Sequence, residues 1–423
     1  MRISTLQAFN NGVAGIQRNY SNATRTQEQI STGNRILTPA DDPVASVRLL
    51  QLEQQQNVLS QYNSNLTAAK NSLTQEEVTL NSVNTVLQRV RELAVQAGNG
   101  ALDPQDRKSI AAELGEREDE LLSLMNTRNA RGEYLFSGFQ GKTPPFVLEG
   151  GKYTYKGDEG QRKLQVASSL TVPISDNGKS IFESVTNAGR LNSNIVAKPP
   201  ESTLSVSAPL VSDETAFASD PAFPSQGIEI QFAADGSSYS IYQLPRTDDG
   251  AGNFTDTALP GYSNLSMDDD AGSSDLLVFR GVTLHLDGAA QGGERIQLTA
   301  PIEPRNKQGI LDTIANLRSS LENPSTGNTG VRDAVAVALT NLDHGMVSVD
   351  QARGNIGARL NVIETTQTDN EDVALVNKGV QAELRELDYA EALSRLSMQT
   401  VVLEAAQQSY VKIAGLSLFN VMR

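Results

Sequence analysis

"LEQQQNVLSQYNSNLTAAKNSLTQEEVTLNSVNTVLQRVRELAVQA", residues 52–97, repeats apolar side chains at alternating steps of three and four. Leu59, Tyr62, Leu66, Ala69, Leu73, Leu80, Val83, Leu87, Val90, Ala94 and Ala97 fall on one heptad seam that starts at Leu52. Only Gln55 and Glu76 interrupt it. A continuous helix over this span would be about 70 Å long at 1.5 Å per residue. One narrow stripe held that far predicts a coiled-coil-like rod. Each large seam side chain contributes about 1.5–3 kcal/mol if a partner helix buries it, so the chain has to supply partners.

The sequence on either side punctuates this helix. Upstream, "TPADDPVASVRLL" (Thr38–Leu50) places Pro43 at a first helical position, with Asp41 and Asp42 where a cap and a favourable dipole charge belong. Pro39 and Pro43 also bias their predecessors, Thr38 and Asp42, away from helix. Downstream, Gly98 and Gly100 break the helix and Asp103–Pro104 starts another. That shorter, charged helix has Ile110, Leu114, Leu121 and Leu124 on one face and should fold back against the long one.

The far end of the chain carries the answering seam: Val335, Leu339, Leu342, Met346, Val349, Ile356, Leu360 and Ile363, with Arg353 as its exception. Two terminal stripes complete the pattern. Leu6, Phe9, Val13, Ile16, Tyr20, Ala23 and Ile30 form the first, with Gln27 in it; Tyr389, Ala392, Leu396, Leu403, Ala406, Tyr410 and Ile413 form the second, with Gln399 in it. Helices of this kind are marginal alone. They either complete the bundle of their own chain or order when many copies assemble, and the pattern leaves both open.

Between the helical ends, residues 141–300 hold ten of the 16 prolines, and 20 Asp and Glu against 11 Lys and Arg. Short alternating runs fill this segment. In "DLLVFRGVTLHLDG", Val282, Leu284 and Leu286 share one face while Thr283, His285 and Asp287 share the other, the pattern of half-buried antiparallel strand. The Pro-, Ser- and Ala-rich stretch 192–223 reads as loop. The fold class is therefore mainly α with a β-rich insertion: a long coiled-coil-like bundle made from both chain ends, with an antiparallel β domain at its tip. The segments are 1–38, 39–140, 141–302, 303–387 and 388–423.

Composition narrows the function. At 423 residues the chain exceeds one ordinary core. A net charge of −15 argues against nucleic acid as a partner, and the absence of cysteine excludes disulfides and thiolate chemistry. No apolar run is long enough to insert in a membrane, and the N-terminus has no continuous apolar stretch of the secretory type. His285 and His344 are isolated and read as surface residues, so no zinc site and no histidine-assisted nucleophile can be assembled. "MDDDAGSSD" (Met267–Asp275) lacks the ligand spacing of an EF-hand loop and reads as a solvated acidic turn. No catalytic, cofactor or metal site is expected.

Three segments carry a resemblance. "STGNRILTPADDP", "RVRELAVQAGNGALDPQDRKSIAAEL" and "QARGNIGARLN" closely resemble the helical core of bacterial flagellins. The resemblance spans 1–146 and about 303–423. Within that superfamily, "DDPVAS" stands where flagellins have an alanine–glycine stretch. "RGEYLFSGFQGKTPPF" and the ending "LDYAEALSRLSMQTVVLEAAQQSYVKIAGLSLFNVMR" resemble its hook–filament junction members instead. The resemblance implies a structural subunit exported through the flagellar type III apparatus to the extracellular flagellum. Its partners would be copies of itself in a ring, a hook-associated protein on the hook side, flagellin on the filament side and a cytoplasmic export chaperone at the C-terminal stripe. It further implies that 1–38 and 388–423 are coaxial segments, disordered in the monomer, and that Pro39, Asp41, Asp42 and Pro43 form the spoke corner joining the first to the rod. The competing readings are a minor flagellin that builds filament, an intracellular coiled-coil scaffold, and a rod carrying a hydrolase in its insertion.

Overall fold

A computed structural model describes residues 2–248, 254–267, 274–301, 305–323 and 327–421; within its helices, the side chains of 2–6, 8, 327–328 and 414–421 lie outside that description. The helices are α1 (Arg2–Thr32), α2 (Pro43–Ala97), α3 (Pro104–Met125), α4 (Glu214–Ala218), α5 (Ile310–Glu322), α6 (Gly327–Arg385) and α7 (Tyr389–Val421). The chain divides into two compact units. One comprises residues 1–67, 165–170 and 364–423, the other 68–164 and 171–363, and α2 and α6 contribute to both.

In the second unit α2 and α6 run antiparallel. A Cβ on Gly98 would lie 3.3 Å from Val335, and Arg91 pairs with Asp343 at 2.8 Å, so rising numbers on α2 meet falling numbers on α6. Leu73, Leu80, Val83, Leu87, Val90 and Ala94 are completely buried here, as are Val349, Ile356 and Ile363 of α6. Both predicted seams are present. Asp103 caps α3 by accepting from the Gln105 and Asp106 amides at 2.7 and 2.8 Å, with Pro104 at the first helical position. α3 lies beside α2, where Glu113 pairs with Arg89 at 2.8 Å.

Two features differ from the sequence reading. First, α5 is a separate helix of 13 residues inside the stretch assigned to the C-terminal rod. It buries Ile310, Leu311, Ile314, Leu317 and Leu321, and its Arg318 pairs with the buried Glu118 of α3 at 2.9 Å. Second, part of 192–223 is strand and not loop: β5 (Asn192–Ala197), β6 (Ser205–Val206) and β7 (Leu210–Val211), followed by α4. β5 alternates exposed and half-buried residues and pairs with a strand about one hundred residues later, so tertiary pairing overrides its Asn/Ser-rich local propensity.

The remaining strands are β1 (Phe146–Glu149), β2 (Lys152–Tyr155), β3 (Lys163–Gln165), β4 (Thr171–Pro173), β8 (Ile228–Phe232), β9 (Ser238–Gln243), β10 (Leu265–Ser266), β11 (Ser274–Phe279), β12 (Val282–Asp287) and β13 (Arg295–Thr299). An antiparallel sheet of order β10-β9-β8-β13-β5 and a second of β11-β12-β6, with β7 also on β12, contribute to one shared core. Ile228, Ile230, Ile241 and Ile296 come from the first sheet; Phe279, Val282, Leu284 and Leu286 come from the second. The predicted alternation in 282–287 is therefore present, with His285 exposed on the outer face. His344, by contrast, is partly buried and its Nδ1 lies 2.9 Å from the Thr186 carbonyl. Residues 268–273 of the acidic turn lie outside the described residues.

In the first unit α1 pairs with α7, and the start of α2 and the end of α6 accompany them. The tip of the β3–β4 hairpin is inserted between these last two helices. Val166 is completely buried there, Asn65 donates to the Gln165 carbonyl at 2.7 Å and Asn370 to the Val166 carbonyl at 3.3 Å.

Candidate assembly surface

The corner between α1 and α2 is built around two adjacent aspartates with different tasks. Asp42 caps α2, accepting from the Ala45 amide at 3.0 Å. Asp41 closes the turn before it. Its carboxylate accepts from the Thr38 hydroxyl at 2.7 Å and from the Leu37 and Thr38 amides at 2.9 and 3.1 Å, and pairs with Arg25 of α1. These hydrogen bonds, the Thr38 hydroxyl first, hold the Asp41 carboxyl at a pKa of about 2. Pro43 begins the helix, and Pro39 lies inside the clamped turn.

A second clamp joins this corner to the α6–α7 turn. Arg35 N donates to the Arg385 carbonyl at 2.8 Å and Leu387 N to the Gly33 carbonyl at 3.0 Å, around a bridge between Asn34 and Glu386. Arg35 also reaches the Leu384 carbonyl at 3.1 Å, and Arg385 reaches the Asn34 side chain at 3.0 Å. Gly33 adopts φ +69°, which favours glycine, and a Cβ there would lie 2.8 Å from the Tyr389 hydroxyl, so that exposed side chain would have to shift. The terminal helices thus leave from one stitched double turn. Sequence reasoning missed this stitch, because its partners lie about 350 residues apart and its backbone bonds carry no residue code.

From that turn α1 and α7 run antiparallel, with Phe9 against Tyr410 at 5.1 Å between ring centroids and Gly12 beneath the same tyrosine. On α7 the predicted stripe faces inward: Ala392 is fully buried, and Leu396, Gln399, Leu403, Ala406 and Tyr410 are partly covered. Tyr389 and Ile413, at its ends, are exposed. On α1, Val13, Ile16 and Ile30 are partly covered and Ala23 is buried, whereas Phe9 is half-exposed, Tyr20 is 64% exposed and Gln27 faces outward. Thr26 and Gln29 occupy the inner face instead, because a straight helix of 3.6 residues per turn drifts away from a strict seven-residue repeat. The side chain of Leu6 lies outside the described residues.

One copy leaves much of this unit's apolar surface uncovered. Met398, Val401 and Val411 of α7, Val44, Val47 and Leu50 of α2, and Leu375 and Val376 of α6 are all more than half exposed. Scattered exposed apolar residues are normal, but large contiguous apolar faces mark interaction sites. Sequence reasoning missed the faces on α2 and α6. Their signal was present, as apolar residues three apart (Val44, Val47, Leu50; Val373, Val376) lying outside the main seam.

Comparison with known proteins bears on this surface. Residues 3–141 match the bacterial flagellin N-terminal helical region. The chain is 37% identical to flagellar hook-associated protein 3 of Escherichia coli K12 over 199 residues, 47% of this chain and 60% of that protein. It therefore spans less than two thirds of this curated relative's length. The crystal structure of flagellar hook-associated protein 3 from Legionella pneumophila superposes with a TM-score of 0.63 at 26% identity, over 79% of this chain and 98% of that one. The structure of the flagellar junction protein FlgL from the same organism gives 0.61 at 26%, over 80% and 99%. In sequence and in fold, then, this chain, with its flagellin-type N-terminal helical region, is similar to flagellar hook-associated protein 3, FlgL.

Proposed function

We propose that this chain is a structural subunit of the bacterial flagellum that joins the hook to the filament by self-assembly through α1 and α7. The observation that carries the reading is the contrast between a stitched, pre-shaped double turn and the uncovered apolar faces that leave it. A surface of this kind gains its burial from neighbouring subunits, at about 25 cal/mol per Å² of apolar area removed from water. The partners we assign are copies of this chain in a ring, a hook-associated protein on one side and flagellin on the other.

Residues 1–38 and 388–423 act as coaxial segments whose stretches beyond the stitched double turn order on assembly, which avoids presenting a preformed apolar pair in the cytoplasm. Export through the flagellar type III apparatus places the protein outside the cell, with a cytoplasmic chaperone covering the C-terminal stripe until then. The β-rich segment contributes outer contacts.

Electron microscopy of purified hook fragments, incubated with this protein and then with flagellin, tests the proposal. A short zone at the hook tip that stops and then supports flagellin growth is the expected result. Long filaments of this protein alone would make it a filament subunit, the reading that the flagellin-type N-terminal region favours.

A further inference from the structure

Glu76 interrupts the α2 heptad, and the structure places it inside the seam, 1% exposed. Its Oε1 accepts a hydrogen bond from the backbone amide of Asp176 at 3.1 Å. Asp176 belongs to a segment that crosses the helix pair, and Ser72 of α2 donates to the Ile174 carbonyl of that segment at 3.1 Å. The Asp176 carboxylate is held from α6 by both terminal nitrogens of Arg359, each at 2.9 Å, and by Gln161 at 2.6 Å. Arg162 faces the same site and is bound to Glu133 at 2.7 Å.

The guanidiniums that face Glu76 are committed to other carboxylates. Arg359 is engaged by Asp176, and Arg162 by Glu133, which Arg131 also faces. Asp176 has a bidentate guanidinium partner and Glu133 a direct one, whereas the partner of Glu76 is a neutral backbone amide. A charged carboxylate so completely withdrawn from water is strongly disfavoured. Burial first, and the Asp176 charge second, push the Glu76 carboxyl well above the usual range.

We propose that Glu76 is a proton-held clasp: while neutral it seats the 174–178 segment on the α2–α6 pair, and its ionisation releases that segment. The pH dependence has one sign. The folded form binds the proton more tightly than the unfolded chain, so stability falls as pH rises from the ordinary carboxylate range through the folded value. The clasp is closed in acid and opens toward alkali. This reading is independent of the junction role and of any assembly.

The test is hydrogen exchange of the full chain, followed on peptides spanning 170–178 and corrected for the intrinsic rate at each pH. As pH is raised from about 6, protection in the wild type should be lost with a slope of up to about tenfold per pH unit, because linkage to one proton sets that limit. Glu76→Gln, nearly isosteric and always neutral, should keep its pH 6 protection throughout. Equal pH dependence in the two proteins would overturn the proposal. Infrared difference spectra read the proton directly: a protonated-carboxyl C=O band lost on raising pH in the wild type and missing from Glu76→Gln is expected, and identical spectra would contradict the clasp.

Discussion

Helix α2 carries the same heptad through both compact units, and the seam is covered more completely in the second. In the second unit the seam residues Leu73, Leu80, Val83, Leu87 and Val90 are completely buried, and the chain itself supplies every partner. In the first unit the seam residues Leu59 and Leu66 are buried and Leu52 and Tyr62 half covered, while Val44, Val47 and Leu50, which lie off the seam, are exposed. A heptad records that a helix wants a partner. It does not record whether the partner lies in the same chain. The first unit combines a clamped corner with exposed apolar residues on three helices, and the second combines a closed helical seam with a mixed α and β core.

Mutation of the two regions should separate them. Leu80→Ala or Leu87→Ala should cost about 2–5 kcal/mol in denaturant unfolding of the monomer, because each leaves a cavity in a packed seam. Leu50→Ala, at 67% exposure, should change monomer stability by no more than about 0.5 kcal/mol. Similar losses at the two sites would remove the distinction. Charging the open face sharpens it. Met398→Glu, at a residue 72% exposed, should leave unfolding of the monomer nearly unchanged while abolishing growth on hook tips seen by electron microscopy.

The corner should respond more modestly. Gly33→Ala forces a side chain into φ +69° and against the Tyr389 hydroxyl, and should destabilise the first unit by about 1–2 kcal/mol, read as faster exchange in peptides covering 26–42. The smallest effect is in acid. Asp41 has its folded pKa near 2, below that of the unfolded chain, so its contribution is present above the ordinary carboxylate range and is lost as pH falls through about 2. Comparing acid melts of the wild type and Asp41→Asn should show the two converging at the lowest pH.

Much of this architecture was readable from the sequence, and the exceptions have physical causes. The heptads of α2 and α6, the Asp103–Pro104 start and the face alternation of 282–287 depend on local periodicity and capping, which short stretches encode. The strand at Asn192–Ala197 was not readable, because its pairing with Arg295–Thr299 is decided by a neighbour distant in sequence. Glu76 looked like a flaw in the seam. It is a buried group whose surroundings, Asp176 and Arg359, lie 100 and 283 residues away. In the first unit the α7 stripe faces inward from Ala392 to Tyr410 and is exposed at Tyr389 and Ile413, while on α1 drift rotates Tyr20 and Gln27 outward and brings Thr26 and Gln29 in. The double turn joining Gly33–Arg35 to Arg385–Leu387 uses backbone groups, which composition cannot reveal.

On the junction reading, the second unit is complete within one chain and the first is completed by neighbouring subunits. Hydrogen exchange measured on the free monomer and again on protein added to hook tips tests it most directly. Strong protection is expected over 73–97 in both states, and protection over 7–32 and 389–413 should rise sharply only on the hook. Terminal helices already protected to the level of 73–97 in the monomer, and unchanged on assembly, would contradict it.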